Sequence, residues 1–519
     1  MHAMIKVFIK DQFLKISSFL SIPWVLLLIL SLIICLQRIH TYNEPTDRDI
    51  ATYGVIAHEV ISGKRIYEGI LMDQKPPGIH FTYGIAELIV GYGRQEFFLL
   101  GVVTALATLF GVFFLGSLIS NTAANWTAVY WTVICSSLPL EANQPNSEVF
   151  INAWIIFGVA FLLSQARTIS ENHWRAVAAG VCFAFASLYK HIVVFIPILV
   201  TITYLFFPIS SRNKKKRFID LCLIGLVGLI CWVAFFIYFG ITGRLSGTIE
   251  SLFKYNRYYS GSIVENIFSC ASLFSPVLRG LTPLFILILL SGFIAFIHKQ
   301  KNEVYFVASL GIGAAISIAL PGRFYPHYYQ LFFPFLLVGT AYSINWIDYP
   351  YLKKIYRSNI FLYFIFFILV FFHLPSFFLN YNEWSLRKYG TIFLITDKLA
   401  KELDSILLPN ESFYQIGSQA QFYFDTQRRP LGPLSDDQIF SGPLSDKLFS
   451  EMMNKLLYEP PDLIILEKYS LPKISQESPF IAWLYSNYIP APLVFNRDPF
   501  YLFVKKDSKL QQRLENKYQ

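Results

Sequence analysis

The chain has 519 residues, 54% hydrophobic and 17% aromatic against only 15% charged, with a mean hydropathy of +0.46. Such a composition excludes an ordinary soluble protein and points to an integral membrane protein. The net charge of +9 does not point to nucleic acid, because the basic residues stand in short clusters between apolar runs, as positive-inside topology requires, and no nucleic-acid partner is expected.

At the start, Lys6, Lys10 and Lys15 precede an apolar run over residues 22–36 with no small-residue cleavage site after it. This reads as a retained anchor with a cytoplasmic N-terminus. Residues 44–78 then form a polar, acid-bearing segment. Thr46 is the expected helix cap, with Asp47 and Asp49 in the first turn, Ile50, Tyr53, Ala57 and Ile61 at helical spacing, and Gly63 ending the helix. Lys75-Pro76-Pro77-Gly78 reads as a stiff turn that places one cation and launches an apolar helix over 79–90. The segment has the character of an amphipathic platform lying against a membrane. Plainer readings exist: Thr46-x-x-Asp49 resembles a capping box, and a lysine beside a Pro-Pro turn serves equally as a headgroup anchor.

Further apolar stretches follow at 97–118, 126–140, 149–163, 177–188, 192–207, 221–239, 281–297, 304–320, 331–347 and 360–379. With the first run they make a polytopic α-helical protein of about eleven transmembrane helices. With the N-terminus inside, the cytoplasmic loops receive Arg167 to Arg175, Arg212 to Arg217, His298 to Lys301 and Lys353 to Arg357, most of the basic clusters. The other side receives residues 44–78, the loop ending in Asn146-Ser147-Glu148, Lys190-His191, a loop over Lys254 to Tyr259, the loop Arg323 to Tyr329, and everything after Leu379. Of the six cysteines, Cys35, Cys135, Cys182, Cys222 and Cys231 lie in apolar runs and Cys270 stands alone, so the spacing fits neither a zinc site nor a disulfide framework.

From about residue 380 the composition changes. A helical pattern over 397–408, short strands at 412–416 and 462–466, and a terminal hairpin over 492–505 describe a small soluble α/β domain at 381–519, after a membrane domain at 1–380.

Two acids stand out. Asp49 and Glu148 come from different loops, and acids near a membrane are costly enough to default to function. Glu148 also fits a helix-start acid capped by Asn146 or Ser147. Together with Lys75, Lys190, Arg257, Arg323 and His327, the acids suit a reaction in which a base takes a proton while cations or a metal hold a leaving phosphate. The run Gly322 to Tyr329 packs a guanidinium, an imidazole and tyrosine hydroxyls into one short stretch, although an aromatic belt has the same look. Lys190 reads equally as a snorkelling helix-end lysine.

These motifs, DRDIATYGVIAHEVISG followed by KPPG, NSE at a helix start and RFYPHYY before a later span, resemble the C-type membrane glycosyltransferases. The likeness is to the bacterial branch similar to protein mannosyltransferases and the lipid A aminoarabinose transferase, and covers residues 20–380. The resemblance implies a catalytic acid at Asp49, a supporting or metal-binding acid at Glu148, and a lipid-phosphate contact at Lys75. Tyr53, Lys190, Arg323, His327 and Tyr328 are the other expected substrate-binding residues. Where the family often has an Asp-Glu pair, this chain reads Asp49-Ile50. A polyprenyl-phosphate sugar donor is implied, with a lipid, glycan or protein acceptor of the cell envelope and inverting transfer on the extracytoplasmic face of the cell membrane. No cofactor is implied beyond a divalent metal ion, which, if present, would sit on Asp49 and Glu148. The alternative is a transporter or lipid flippase, which should show midplane charges, paired helix breaks and repeat symmetry. A scaffold without enzymatic activity gives Asp49, Glu148 and Arg323 no reason to share a face.

Overall fold

The computed structural model describes residues 23–168, 171–209, 212–269, 272, 275–347, 358–475, 477–492 and 498–518. Lys6, Lys10, Lys15, Cys270, the basic run Lys353 to Arg357 and part of the stretches 167–175 and 492–505 lie outside the described residues.

A backbone in hydrocarbon has no water to bond to, so long apolar runs close their hydrogen bonds internally and become helices. Among the described residues eight helices are long and apolar enough to cross a membrane: Pro23–His40, Arg94–Ser117, Ser147–Ala166, Lys214–Ile241, Pro276–Ile297, Lys301–Ala319, Pro326–Ile347 and Ile360–Phe378. The chain is a multi-pass membrane protein. Three other expected spans fall on shorter helices, Asn121–Ile134, Trp174–Ser187 and Phe195–Phe206. The first stops because Ser136-Ser137-Leu138-Pro139 follows it, and Pro139 enters a 3-10 turn, Leu138–Leu140, instead of continuing the helix.

The described chain divides into two compact units. The first gathers the described residues of Met1–Tyr42, Leu100–Trp232 and Glu265–Leu379. Its helices approach closely where side chains are small. A Cβ on Gly158 would come within 2.4 Å of the Phe183 ring, and one on Gly313 within 2.7 Å of the Ile196 backbone. The basic run Arg212 to Arg217 is more than a topology signal: Arg212 and His173 bond Asp220 at 2.7 and 2.6 Å, Tyr204 donates to the same carboxylate at 2.8 Å, and Asp220 is fully buried. A buried carboxylate is tolerated because every side of it meets a donor.

The second unit gathers Asn43–Leu99, Val233–Val264 and Asn380–Gln519. The polar segment near the N-terminus therefore packs with the C-terminal region. Helix Arg48–Ile61 starts one residue later than Thr46 would place it, because Asp47 is the cap: its carboxylate accepts from the amides of Asp49 and Ile50. Thr46 instead donates to Asp425, 379 residues away, at 3.0 Å. The helix ends at Ser62, and Gly63 follows at φ +95°. Ile61, expected on the apolar face, is 40% exposed. Pro77 caps helix Gly78–Val90. Residues 254–259 are helical rather than a loop, running through the π-helix Glu250–Tyr255 into Asn256–Ser260, where the Asn256 amide bonds back to the Leu252 carbonyl at 2.8 Å.

The C-terminal region has a four-stranded sheet in the order β1-β2-β4-β3, with β1 (Phe413–Ile416), β2 (Leu463–Glu467), β3 (Tyr488–Pro490) and β4 (Phe500–Lys505). β1 and β2 are parallel, and β4 runs antiparallel to both β2 and β3. The terminal hairpin thus begins earlier than the sequence indicated, at Tyr488, because all three β3 residues pair with β4. Helix Ile392–Ile406 takes the place of the helical pattern at 397–408.

Helix Arg48–Ile61 docks on the short helix Gln421–Thr426 through Gly54, where a Cβ would meet Glu96 Oε1 at 2.8 Å and Phe424 Cε2 at 2.9 Å. Phe424 in turn stacks on Phe97 with ring centroids 4.4 Å apart. Gly54→Val should overpack this contact and lower stability by about 1–3 kcal/mol, read as a lower Tm of the protein in detergent. Adding Phe424→Leu should recover part of the loss; no loss in the single variant would mean the contact is not tight.

Candidate functional site

Each unit holds one of the two expected acids with a lysine beside it. In the second unit, Asp47 caps the helix and Asp49 stands in its first turn. Its Oδ2 lies 3.7 Å from Lys75 Nζ and its Oδ1 lies 3.7 Å from Arg48 Nε. The Asp49 side chain is 32% exposed and that of Lys75 13% exposed, so the carboxylate is reachable while its cation is mostly enclosed.

Lys75 is held from three sides. Its ammonium lies 4.4 Å over the Tyr53 ring, a cation–π contact. Its backbone carbonyl accepts from the Tyr67 hydroxyl at 2.6 Å, and Pro76 and Pro77 stiffen the chain that follows. Tyr53 is buried and packed edge-on against Tyr83 and His80, with centroids 5.6 and 5.9 Å away. Its hydroxyl makes no hydrogen bond among the described residues. Burying a hydroxyl in this way costs stability, which marks Tyr53 as a residue placed for its ring beside the lysine and for what its oxygen can meet.

In the first unit, Glu148 is buried in the first turn of helix Ser147–Ala166. It accepts from Lys190 Nζ at 3.1 Å and from Ser147 Oγ at 3.3 Å. The Lys190 ammonium also sits 3.2 Å over the Tyr328 ring. His327, the neighbour of Tyr328, bonds Glu141 Oε2 at 2.9 Å through Nδ1. Glu141 takes a left-handed backbone, φ +55°, at the end of the turn Leu138–Leu140. Gln330 bonds the Leu140 carbonyl and Asn152 bonds the Gln330 carbonyl. The loop that carries Glu148 is thereby stitched to the segment that carries His327 and Tyr328.

Sequence reasoning named Glu148, Lys190, His327 and Tyr328, and the structure brings Glu148, Lys190 and Tyr328 into direct contact. It missed Glu141, whose signal was an acid directly after the Leu138-Pro139-Leu140 turn, at the head of the loop that leads to Glu148. Asn146, expected as a cap through its side chain, makes no such bond: it is buried, and neither amide atom has a hydrogen-bond partner among the described residues. Arg323 is exposed. Arg257 is exposed too, and its guanidinium donates to the Gly261 carbonyl at 2.7 Å.

Neither acid fits a divalent metal well. Among the described residues no group of three or more His, Cys, Asp or Glu side chains is arranged to hold an ion, and each acid faces a lysine ammonium where a metal would need it. What the Asp49 group can do is hold a reachable carboxylate as a hydrogen-bond acceptor or base beside a cation that attracts an anionic ligand.

No protein-family model matches the chain, and no curated protein matches it in sequence. Solved structures do match. ArnT from Cupriavidus metallidurans, bound to undecaprenyl phosphate, aligns at a TM-score of 0.62 and 12% identity over 93% of this chain and 98% of that one. Its apo form gives a TM-score of 0.61 over 92% of this chain and 97% of that one, again at 12% identity. The archaeal oligosaccharyltransferase AglB from Archaeoglobus fulgidus, in complex with an inhibitory peptide and a dolichol-phosphate, aligns at 0.51 and 11% identity over 95% of this chain and 75% of that one. At such identities the likeness is one of fold, and it runs the length of the chain: this protein has the fold of the C-type membrane glycosyltransferases.

Proposed function

We propose that the chain is an integral membrane glycosyltransferase. It moves a sugar from a polyprenyl-phosphate-linked donor to a lipid, glycan or protein acceptor of the cell envelope, on the extracytoplasmic face of the plasma membrane. The observation that carries this is the Asp49–Lys75–Tyr53 group, a reachable carboxylate beside an enclosed cation, set in the fold of ArnT and AglB, which were captured with undecaprenyl phosphate and a dolichol-phosphate.

In this reading, Asp49 takes the proton of the acceptor hydroxyl as that oxygen attacks the anomeric carbon. The new C–O bond forms as the bond from that carbon to the phosphate oxygen breaks. The electron pair leaves with the polyprenyl phosphate, whose growing charge Lys75 offsets, and Arg323 is read as a lipid-phosphate contact of the first unit. A single displacement inverts the anomeric centre. Glu148 keeps Lys190 against Tyr328, and with His327 these residues line the substrate region of the first unit. The C-terminal region from residue 381 acts as the extracytoplasmic domain and residues 1–380 as the transmembrane domain. The three shorter apolar helices complete about eleven spans, and residues 44–78 lie along the membrane surface. Both named neighbours are glycosyltransferases rather than transporters, which supports this reading over a flippase.

The topology is tested with reporters. One fused after residue 215 should report cytoplasm and one fused after residue 400 the opposite compartment; a shared compartment would break the span assignment. Lys75→Ala and Arg323→Ala should each weaken binding of radiolabelled undecaprenyl phosphate, since each removes a charge-assisted contact worth roughly 1.5–3 kcal/mol. Unchanged binding in both would return these residues to headgroup anchoring. Asp49→Asn should insert, fold and bind the lipid phosphate yet lose about a hundredfold to ten-thousandfold in turnover, measured as sugar transfer restored to membranes from cells lacking the gene. Near-normal transfer would shift the base to Asp47 or Glu148.

A further inference from the structure

We propose that Thr46, Arg94 and Asp425 are positioning residues: the C-terminal domain sets the place of the catalytic carboxylate by gripping the five residues that lead into its helix. This rests on the reading of Asp49 as the base.

The segment from Asn43 to Asp47 is neither helix nor strand before the cap, so outside contacts decide its path. Its contacts include the following three. The buried side chain of Glu44 pairs with Lys388 on helix Tyr381–Tyr389. Arg94 reaches the Asn43 and Glu44 carbonyls, each at 3.4 Å, while its other terminal nitrogen lies 2.7 Å from Asp397 on helix Ile392–Ile406 and 3.6 Å from Asp425. Thr46 donates to Asp425 on helix Gln421–Thr426. Asp47, the next residue, caps the amides of Asp49 and Ile50. A displacement at Thr46 is thus passed through one peptide unit to the cap and from the cap to Asp49.

Stability alone does not account for Asp425. Burial, and next to it the neighbouring Asp397, push its carboxyl up to about 6, although Arg94 and Thr46 pull it down. A carboxyl whose pKa rises on folding binds its proton more tightly in the native state than in the unfolded one. The fold therefore loses stability as pH climbs from about 4 to about 6. The ionised form present at neutral pH is a cost to the fold, and the geometry gives it a use: it completes the grip on Thr46 and on Arg94.

The test uses the full chain in detergent. Thr46→Val, which keeps the shape and removes the hydroxyl, and Asp425→Leu, which removes the acceptor, should each lower kcat for sugar transfer about tenfold to a hundredfold, the cost of a misplacement near 1 Å. Binding of radiolabelled undecaprenyl phosphate should stay within about twofold, because Lys75 is held by Tyr53, Tyr67 and the Pro-Pro turn. Thr46→Ser keeps the bond and should stay close to the parent. Hydrogen exchange at the Asp49 and Ile50 amides should quicken in Thr46→Val and not in Thr46→Ser. Unchanged kcat and unchanged exchange in Thr46→Val overturn the proposal, as does an equal loss of lipid binding and turnover, which a general loss of structure would produce. Should Asp425→Leu fail to fold, Thr46→Val carries the test. If Asp49→Asn keeps its transfer activity, the base assignment falls, and exchange at the two amides still decides whether the grip exists.

Discussion

Hydrocarbon tolerates neither an unpaired backbone group nor an unpaired charge, and most of this structure follows from that constraint. It turns the apolar runs into helices and drives polar chemistry to their ends and the loops between them. It also decides how acids are kept. Asp220 meets Arg212, His173 and Tyr204, Glu148 meets Lys190, and Glu44 meets Lys388. Such pairs seldom stabilise a fold, since desolvation takes back most of the Coulombic gain. Removing one partner is expensive all the same, so each pair enforces one arrangement over others.

The same logic separates two kinds of acid in the chain. Asp220 and Glu44 are enclosed and fully engaged, which suits joints between helices. Asp49 is different: its neighbour Asp47 takes the capping bonds, and its own carboxylate stays partly exposed beside a cation whose aromatic floor and proline turn keep it in place. A lysine enclosed by an aromatic ring can attract phosphate without wandering, because its side-chain entropy is already spent. That arrangement suits the proposed transfer, in which a lipid-linked anion departs while a neutral hydroxyl loses its proton.

The C-terminal region is more than an appendage in this picture. Its helices supply Lys388, Asp425 and Phe424 to the segment around residues 43–54, and Asp397 to Arg94, which reaches the Asn43 and Glu44 carbonyls. A small sheet with helices provides a rigid mount, and rigid mounts hold reacting groups more closely than loops do.

By itself the sequence determined the membrane class, eight of the long spans, the existence of the helix that carries Asp49, the proline turn at Lys75 and the strands β1 and β2, because each is written in the period or composition of adjacent residues. It also named Asp49, Glu148, Lys75, Lys190 and Tyr328, among others, as chemically apt residues without saying which pair with which. Only the tertiary structure decided which of them touch. Thr46 and Asp47 are equally good caps by residue type, and the choice went to Asp47 because Thr46 is taken by Asp425. The bond between Glu141 and His327 joins residues 186 apart, and the helical path over residues 254–259 is steadied by Asn256, whose amide reaches the Gln74 carbonyl at 2.7 Å as well as its own helix. Partners this distant leave no local pattern to read, since their pairing exists only once the chain between them has folded.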